Sequence, residues 1–400
     1  MRLHRSLFIL VFCVWLPLVR AADQSKPGAG NARAASLAKR SPRVQWSRQF
    51  LVKQAGAIRD PKLRAATLDL IANPDTCVRH RAGLTPERKA DILQKLIDGG
   101  LLEARADSTF PNGVISGVFT PIRDEGAACP KLPQPFEAAP GSSFGGHHSY
   151  PGGLMLHEAF NEISSVNFAG AYRRVYGSAG ADGGEFFLNQ DLLIAAPIWH
   201  DWAKAIVFQW NADGTEFDEL EFGGDAGSKT GAHHILGIAE AIKRGMTPEF
   251  VITLASAHAP PANSPESKIS GWIQSAAILA RVDPVANGYL RRDAANRLHL
   301  PALRKLGQFS NTLLEYSIHN LSDSDFTASG PAVRDVQNIL AALAPEFGFH
   351  PAQPAEYNNG FRNPVLSYCS AERLLVIYGN RGLDGVRSEI GAIRPRLRAQ

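Results

Sequence analysis

The sequence predicts a predominantly all-α protein, and three observations carry that prediction. Apolar residues recur at helical spacing over most of the chain. Helix starts are written out in the text, as in Thr85-Pro86-Glu87, Thr247-Pro248 and Ser264-Pro265-Glu266. Strand-like text is confined to a short stretch at 114–119 and two weakly alternating runs in the tail. With 400 residues, 44% hydrophobic and 20% charged, the chain can bury a large core in two or three domains. The same figures exclude a wholly disordered chain, a collagen-like fibre and a disulfide-dense miniprotein.

The first element is an export signal over residues 1–21. A basic stretch (Arg2, His4, Arg5) precedes an apolar run from Leu7 to Val19, and Val19-Arg20-Ala21 offers small residues for cleavage. The run is shorter than the ~20 residues that span a bilayer, so cleavage is expected rather than anchoring. The mature protein is expected to be soluble, periplasmic or secreted, with no stable membrane association. Removal of Arg2, Arg5 and Arg20 lowers the net charge from +4 to +1, leaving 39 basic against 38 acidic residues. Charge therefore gives no argument for a nucleic-acid coat protein or a membrane-surface binder. Cys77, Cys129 and Cys369 remain, an odd number with no Cys-x-x-Cys spacing, so at least one is unpaired within the chain. Buried thiols are expected for most of them.

Residues 22–43, rich in Ala, Gly, Ser, Lys and Arg, read as a flexible linker. Residues 44–102 form an N-terminal helical extension, with amphipathic stretches at 50–58, 62–71 and 86–97. It runs into an irregular Pro- and Gly-rich connection, 104–146, with a short strand expected near 114–119. Residues 147–290 are strongly helical. A C-terminal extension, 291–400, carries helical stretches at 302–318 and 331–343. In it Val365–Tyr368 and Leu374–Tyr378 could pair as a hairpin, and a last helix covers 382–393. No internal repeat is found.

Seven of the 12 histidines fall between positions 147 and 258. In the helix opened by Thr247-Pro248, Val251, Leu254, Ala255 and His258 share one face. In the next, Ile269, Trp272, Ile273, Ala276 and Ala280 lead to Asp283, a carboxylate that is costly at the end of an apolar stripe unless paired or metal-bound. His200 shares a face with Leu193, Ala196 and Ala203, and His157 flanks the stripe Leu156, Phe160, Ile163. One divalent-metal centre would explain these groups together. Imidazole and carboxylate without thiolate suit Mn, Fe, Zn or Ni.

These residues resemble the HD-domain superfamily of metal-dependent phosphohydrolases. The family order is a His, an adjacent His-Asp pair, two further His and a final Asp. Here it reads His157, His200-Asp201, His233 or His234, His258 and Asp283. The run His147-His148-Ser149-Tyr150-Pro151-Gly152-Gly153-Leu154 is similar to the entry of the subgroup that includes 3′–5′ exoribonuclease HD proteins. Residues 191–196, leading into His200-Asp201-Trp202-Ala203-Lys204, look like its central helix. The resemblance covers about a third of the chain and implies an HD-type helical bundle. Departures are Pro197, expected to kink the central helix near Leu193, Trp199 and Trp202 beside the pair, and Ala203 for a common glycine. The tryptophans are expected to narrow the pocket. The family position before Gly237 selects His233 as fourth ligand, whereas helical period alone favours His234.

The resemblance implies two divalent ions bridged by Asp201, held by His157, His200, Asp201, His233, His258 and Asp283, and activating a water. Asp201 and Lys204 are the candidate catalytic residues. Lys204 shares a helix face with the His-Asp pair and could hold a substrate phosphate, with His147, His148 and His234 as further substrate contacts. The run 223–230 resembles a phosphate loop, but Ser228 separates the glycine from the lysine and no clear strand feeds it. The expected function is hydrolysis of a phosphoester, with a small phosphorylated substrate or a nucleic-acid end as partner. A di-iron oxygenase and a metal-stabilised, non-catalytic ligand-binding module are the alternatives. The sequence leaves oligomeric state undecided.

Overall fold

Helix dominates the computed structural model, which describes residues 27–103, 113–177, 186–223, 229–261, 265–301 and 313–397. The expected signal, most of the glycine-rich run 223–230 and the stretch 302–312 lie outside the described residues. Two short antiparallel ladders are the only sheets among them. No helix among the described residues is long and apolar enough to cross a membrane.

The expected linker is instead a helix, α1 (Asn31–Arg40). Ala34, Leu37 and Ala38 bury one face at helical spacing, a stripe hidden in an alanine-rich text. Asn31 ties it down, accepting from the Trp210 backbone N–H (2.9 Å). Then follow α2 (Pro42–Gly56), α3 (Pro61–Ala72) and α4 (Pro86–Asp98), each with proline in the first turn behind a capping Ser41, Asp60 or Thr85. The strand expected at 114–119 is a helical turn, α5 (Val114–Val118), which buries Val114, Gly117 and Val118. Cys77 and Cys129 form a disulfide between the segment after α3 and the irregular connection, and Cys369 stays free and buried.

The central bundle starts with α6 (Gly153–Tyr176), then α7 (Gln190–Trp199) and the single turn α8 (Lys204–Val207). Its entry needs both glycines: Gly152 has φ +84°, and a Cβ on Gly153 would lie 1.9 Å from the His148 carbonyl oxygen. β1 (Glu221–Phe222) pairs with β2 (Thr230–Gly231), in the register Glu221 opposite Gly231, just before α9 (Ala232–Lys243). Next come α10 (Pro248–Ala255) and α11 (Glu266–Ala280). Helix α6 packs on α2, α7 and α12 (Leu314–Ser322), while α9 packs on α11 and α10 on α7. These helices enclose the main apolar core.

The C-terminal region does contain a small hairpin, β3 (Arg291–Arg292) with β4 (Leu298–His299). The runs expected to form it are helical instead: Val365–Tyr368 lies in α15 (Asn363–Cys369) and Leu374–Tyr378 in α16 (Ala371–Leu397). Their apolar residues face a second core with α13 (Phe326–Leu343), and the turn α14 (Pro354–Tyr357) lies between α13 and α15.

Candidate metal centre

Helix α6 carries an unusual buried face: His157, Glu158, Asn161, Glu162 and Ser165 are all at most 1% exposed. The apolar stripe read beside His157 is the outer face, with Phe160 47% and Ile163 37% exposed. A helix that buries polar groups and exposes apolar ones is organised around its polar face, because buried polar groups are costly unless satisfied.

Pro197 lies inside α7. The Leu193 carbonyl it strips of a partner instead accepts from the Ser165 hydroxyl (2.8 Å). The helix ends at His200, and the turn that follows carries Asp201 and then Lys204. Trp199 and Trp202 do not narrow the pocket. They point the other way and donate to Thr67 Oγ1 (2.8 Å) and the Leu70 carbonyl (3.3 Å), which clamps the His-Asp turn to α3.

Five of the six expected ligands converge. His157 Nε2 lies 3.3 Å from Asp201 Oδ2, and His200 Nε2 lies 3.4 Å from the same oxygen. On the other side of Asp201, His233 Nε2 stands 3.2 Å from Oδ1. Donor atoms of His157, His200 and Asp201 fall within 4.8 Å of one another, as do those of Asp201, His233 and His258. Asp201 belongs to both groups. His147, His148 and His157 form a third group by the same measure. It is His233, not His234, that faces Asp201.

Asp283 is not brought to the cluster. Arg281 ends α11 in the left-handed conformation, so the helical face does not continue to position 283. The Asp283 carboxylate is exposed and accepts from the backbone N–H groups of Val285 (2.8 Å) and Ala286 (3.0 Å). Asp323, directly after α12, takes the place expected of it. Its Oδ1 lies 3.2 Å from both His157 Nε2 and His200 Nε2, and its Oδ2 3.9 Å from His258 Nε2. The text Tyr316, His319, Ser322, Asp323 could have revealed it, since these buried residues share one helical face running into the acid.

In His200, His233 and His258 the ring nitrogen turned away from the cluster meets a hydrogen-bonding partner. His200 Nδ1 donates to the Pro197 carbonyl (2.9 Å), with Glu158 Oε2 at 3.3 Å. His233 Nδ1 donates to Glu219 (2.7 Å) and His258 Nδ1 meets the Thr230 hydroxyl (3.1 Å). In each ring Nε2 then faces carboxylates, the arrangement by which outer partners fix a metal-binding tautomer. His233 Nε2 and Asp201 Oδ1 face each other without the alignment of a hydrogen bond, and both are buried without another partner. Atoms so placed fit a cation between them.

The electrostatics agree. Burial alone would lower the His157 imidazole, but bonds to Asp201, Asp323 and Asp325 push it up to about 10. Burial likewise opposes charge on His233, yet Glu219 and Asp201 push it up to about 9. Burial would raise Asp201, but the charges of His200 and Lys204 hold its carboxyl well below the usual range. Burial pushes Glu158 up to about 7 against the pull of His200. The pocket therefore demands positive charge, as protons or as a metal ion.

Lys204 is 4% exposed, so it is no solvated lysine. Its ammonium bonds Asp201, donates to the Gly141 carbonyl (2.6 Å) and lies 3.5 Å from His147 Nε2. The His147 ring packs on His157 with centroids 4.7 Å apart. His148 neither caps α6 nor opens to solvent. Its Nε2 lies 3.3 Å from Asp325 and 3.5 Å from Glu372. His234 is buried and stacks on His258. His258 stands at the open side, its side chain 28% exposed. His319, which stands in no motif of the sequence, packs edge-on against His200.

Compared with known proteins, the chain matches no family model, no curated protein and no solved structure. Its own residues carry the reading: a helical fold around a buried His/Asp cluster that could bind metal fits an HD-type site.

Proposed function

We propose that the protein is an exported metal-dependent phosphohydrolase of the HD superfamily, acting on a phosphoester such as a nucleotide or an oligonucleotide end. The observation that supports it most is the double membership of Asp201, shared by the His157–His200 group and the His233–His258 group. A carboxylate so placed can bridge two ions, and the donor set suits Mn, Fe, Zn or Ni. Bound divalent ions supply a water of lowered pKa and neutralise charge on a phosphoryl oxygen.

The chain's own residues do the rest. Pro197 and Glu219 keep a proton on the outer nitrogens of His200 and His233, so Nε2 stays turned inward. Asp323 completes the His157–His200 side. Lys204 holds a fixed cation beside Asp201, where it can pair with a substrate phosphate, with His147 next to it. The basic–apolar start of the sequence supports export.

The test is a panel of phosphomonoesters and phosphodiesters on the mature protein loaded in turn with each of the four metals. Turnover is expected with at least one metal, and Asp201→Ala is expected to abolish it while retaining the far-ultraviolet dichroism of a helical protein. Undiminished turnover in Asp201→Ala would remove the mechanism. Oxygen consumption by the iron-loaded protein without phosphoester turnover would replace it with the oxygenase.

A further inference from the structure

Two imidazoles beside the pocket serve neither the donor groups nor the hydrogen bonding of the fold. His319 on α12 and His234 on α9 are each 1% exposed, and neither ring nitrogen of either residue has a hydrogen-bond partner among the described residues. Neither residue belongs to the groups whose donor atoms could hold an ion. His319 lies edge-on to His200, with ring centroids 5.2 Å apart at 82°. His234 stacks on His258 at 4.2 Å and 20°, and meets Trp272 edge-on at 4.9 Å. His319 thus adjoins the His157–His200 group, and His234 adjoins the His233–His258 group on the other side of Asp201.

Leaving a buried donor or acceptor unpaired is costly, and native proteins rarely do it. Four such nitrogens around one pocket point to a polar ligand that enters from solvent. The sign of that ligand follows from donor chemistry. An imidazole in any protonation state keeps at least one N–H to donate, and donors beside a cation-holding centre fit an oxyanion. Lys204 supplies a cation beside Asp201.

We infer that His319 and His234 are substrate-holding residues that donate hydrogen bonds to the non-bridging oxygens of a terminal phosphate. The inference rests on the phosphohydrolase reading and narrows it. A phosphomonoester carries three non-bridging oxygens for Lys204, the ions and this imidazole pair, whereas an internal diester carries only two. The substrate class is therefore a phosphate monoester.

The experiment measures binding of inorganic phosphate and of dimethyl phosphate to the metal-loaded full chain by calorimetry, with metal content by elemental analysis. Inorganic phosphate is expected to bind at least about tenfold more tightly than dimethyl phosphate, since each hydrogen bond to a charged group is worth that much. His319→Phe keeps a ring to pack on His200 but has no N–H. It is expected to weaken phosphate binding roughly ten- to a hundredfold with metal content unchanged. His319→Gln, which restores an N–H donor, is expected to recover most of that loss. Three results would overturn the inference: equal phosphate affinity in His319→Phe and the unaltered chain, loss of metal from His319→Phe, or preference for dimethyl phosphate. If equal affinity came with intact phosphoester turnover, the phosphohydrolase reading would stand without this site. An unaltered chain with neither phosphate binding nor turnover would overturn both.

Discussion

Replacing Asp323 by alanine separates the two carboxylates that could close the His157–His200 group. Asp323 Oδ1 lies 3.2 Å from each imidazole Nε2, and the residue is 5% exposed. The Asp283 carboxylate is exposed and accepts from two backbone N–H groups of its own turn. Losing an outer-shell partner typically costs roughly 10- to 100-fold in metal affinity, and a direct ligand should cost more. We therefore expect Asp323→Ala to weaken metal binding by more than about 100-fold. Asp283→Ala should leave metal affinity unchanged and lower stability only slightly, through the lost side-chain acceptor for two exposed backbone N–H groups. A chelator-competition titration on each purified variant reads the affinity, and urea unfolding reads the stability. Metal affinity equal to the unaltered protein in Asp323→Ala, or lost in Asp283→Ala, would refute the assignment.

Two further outcomes follow from the same geometry. Glu219 accepts from His233 Nδ1 at 2.7 Å, so Glu219→Gln should weaken metal binding roughly 10- to 100-fold without abolishing it. The same chelator competition checks this, and an unaltered affinity would show that His233 is not held from outside. Burial would raise the Glu240 carboxyl, but His80 and Arg244 bring it down to about 2. Its ordinary value is 4.5, so the unfolded chain takes up a proton well before the folded one does. The stability it contributes, about 3 kcal/mol, is present in full above pH 4.5 and is lost as pH falls through about 2. Urea unfolding should find Glu240→Gln less stable by that order at pH 7 and level with the unaltered protein at pH 2. A gap that does not change with pH would contradict the coupling.

Local chemistry was the legible part of the fold. Thr85 and Thr247 cap helices where the text places them, because capping involves only a few neighbouring residues. The His-Asp turn was legible for a similar reason, and His157, His233 and His258 do meet it in space. What the text hid depended on distant partners. Helix α1 is held by Trp210 and the irregular connection rather than by a strong apolar period of its own. The tail runs at 365–378 alternate weakly yet form helices that bury Val365, Leu366, Tyr368 and Leu374 in the second core with α13, a tertiary override of a marginal local pattern. Asp283 sat at the end of the right stripe, but the left-handed turn at Arg281 redirects the chain. Trp199 and Trp202 read as pocket walls because their partners on α3 lie 132 residues away. His319 gave little signal alone, since a single histidine on an apolar face is usually packing.

We propose that side chains from α6, the α7–α8 turn, α9, the end of α10 and the end of α12 together hold a pair of divalent ions that share Asp201. Metal stoichiometry per chain, measured by elemental analysis on the unaltered protein and on Asp201→Asn, decides the matter. Two divalent ions per chain are expected, and at most one in the variant. A metal-free native protein, or an Asp201→Asn variant that keeps both ions, would contradict it.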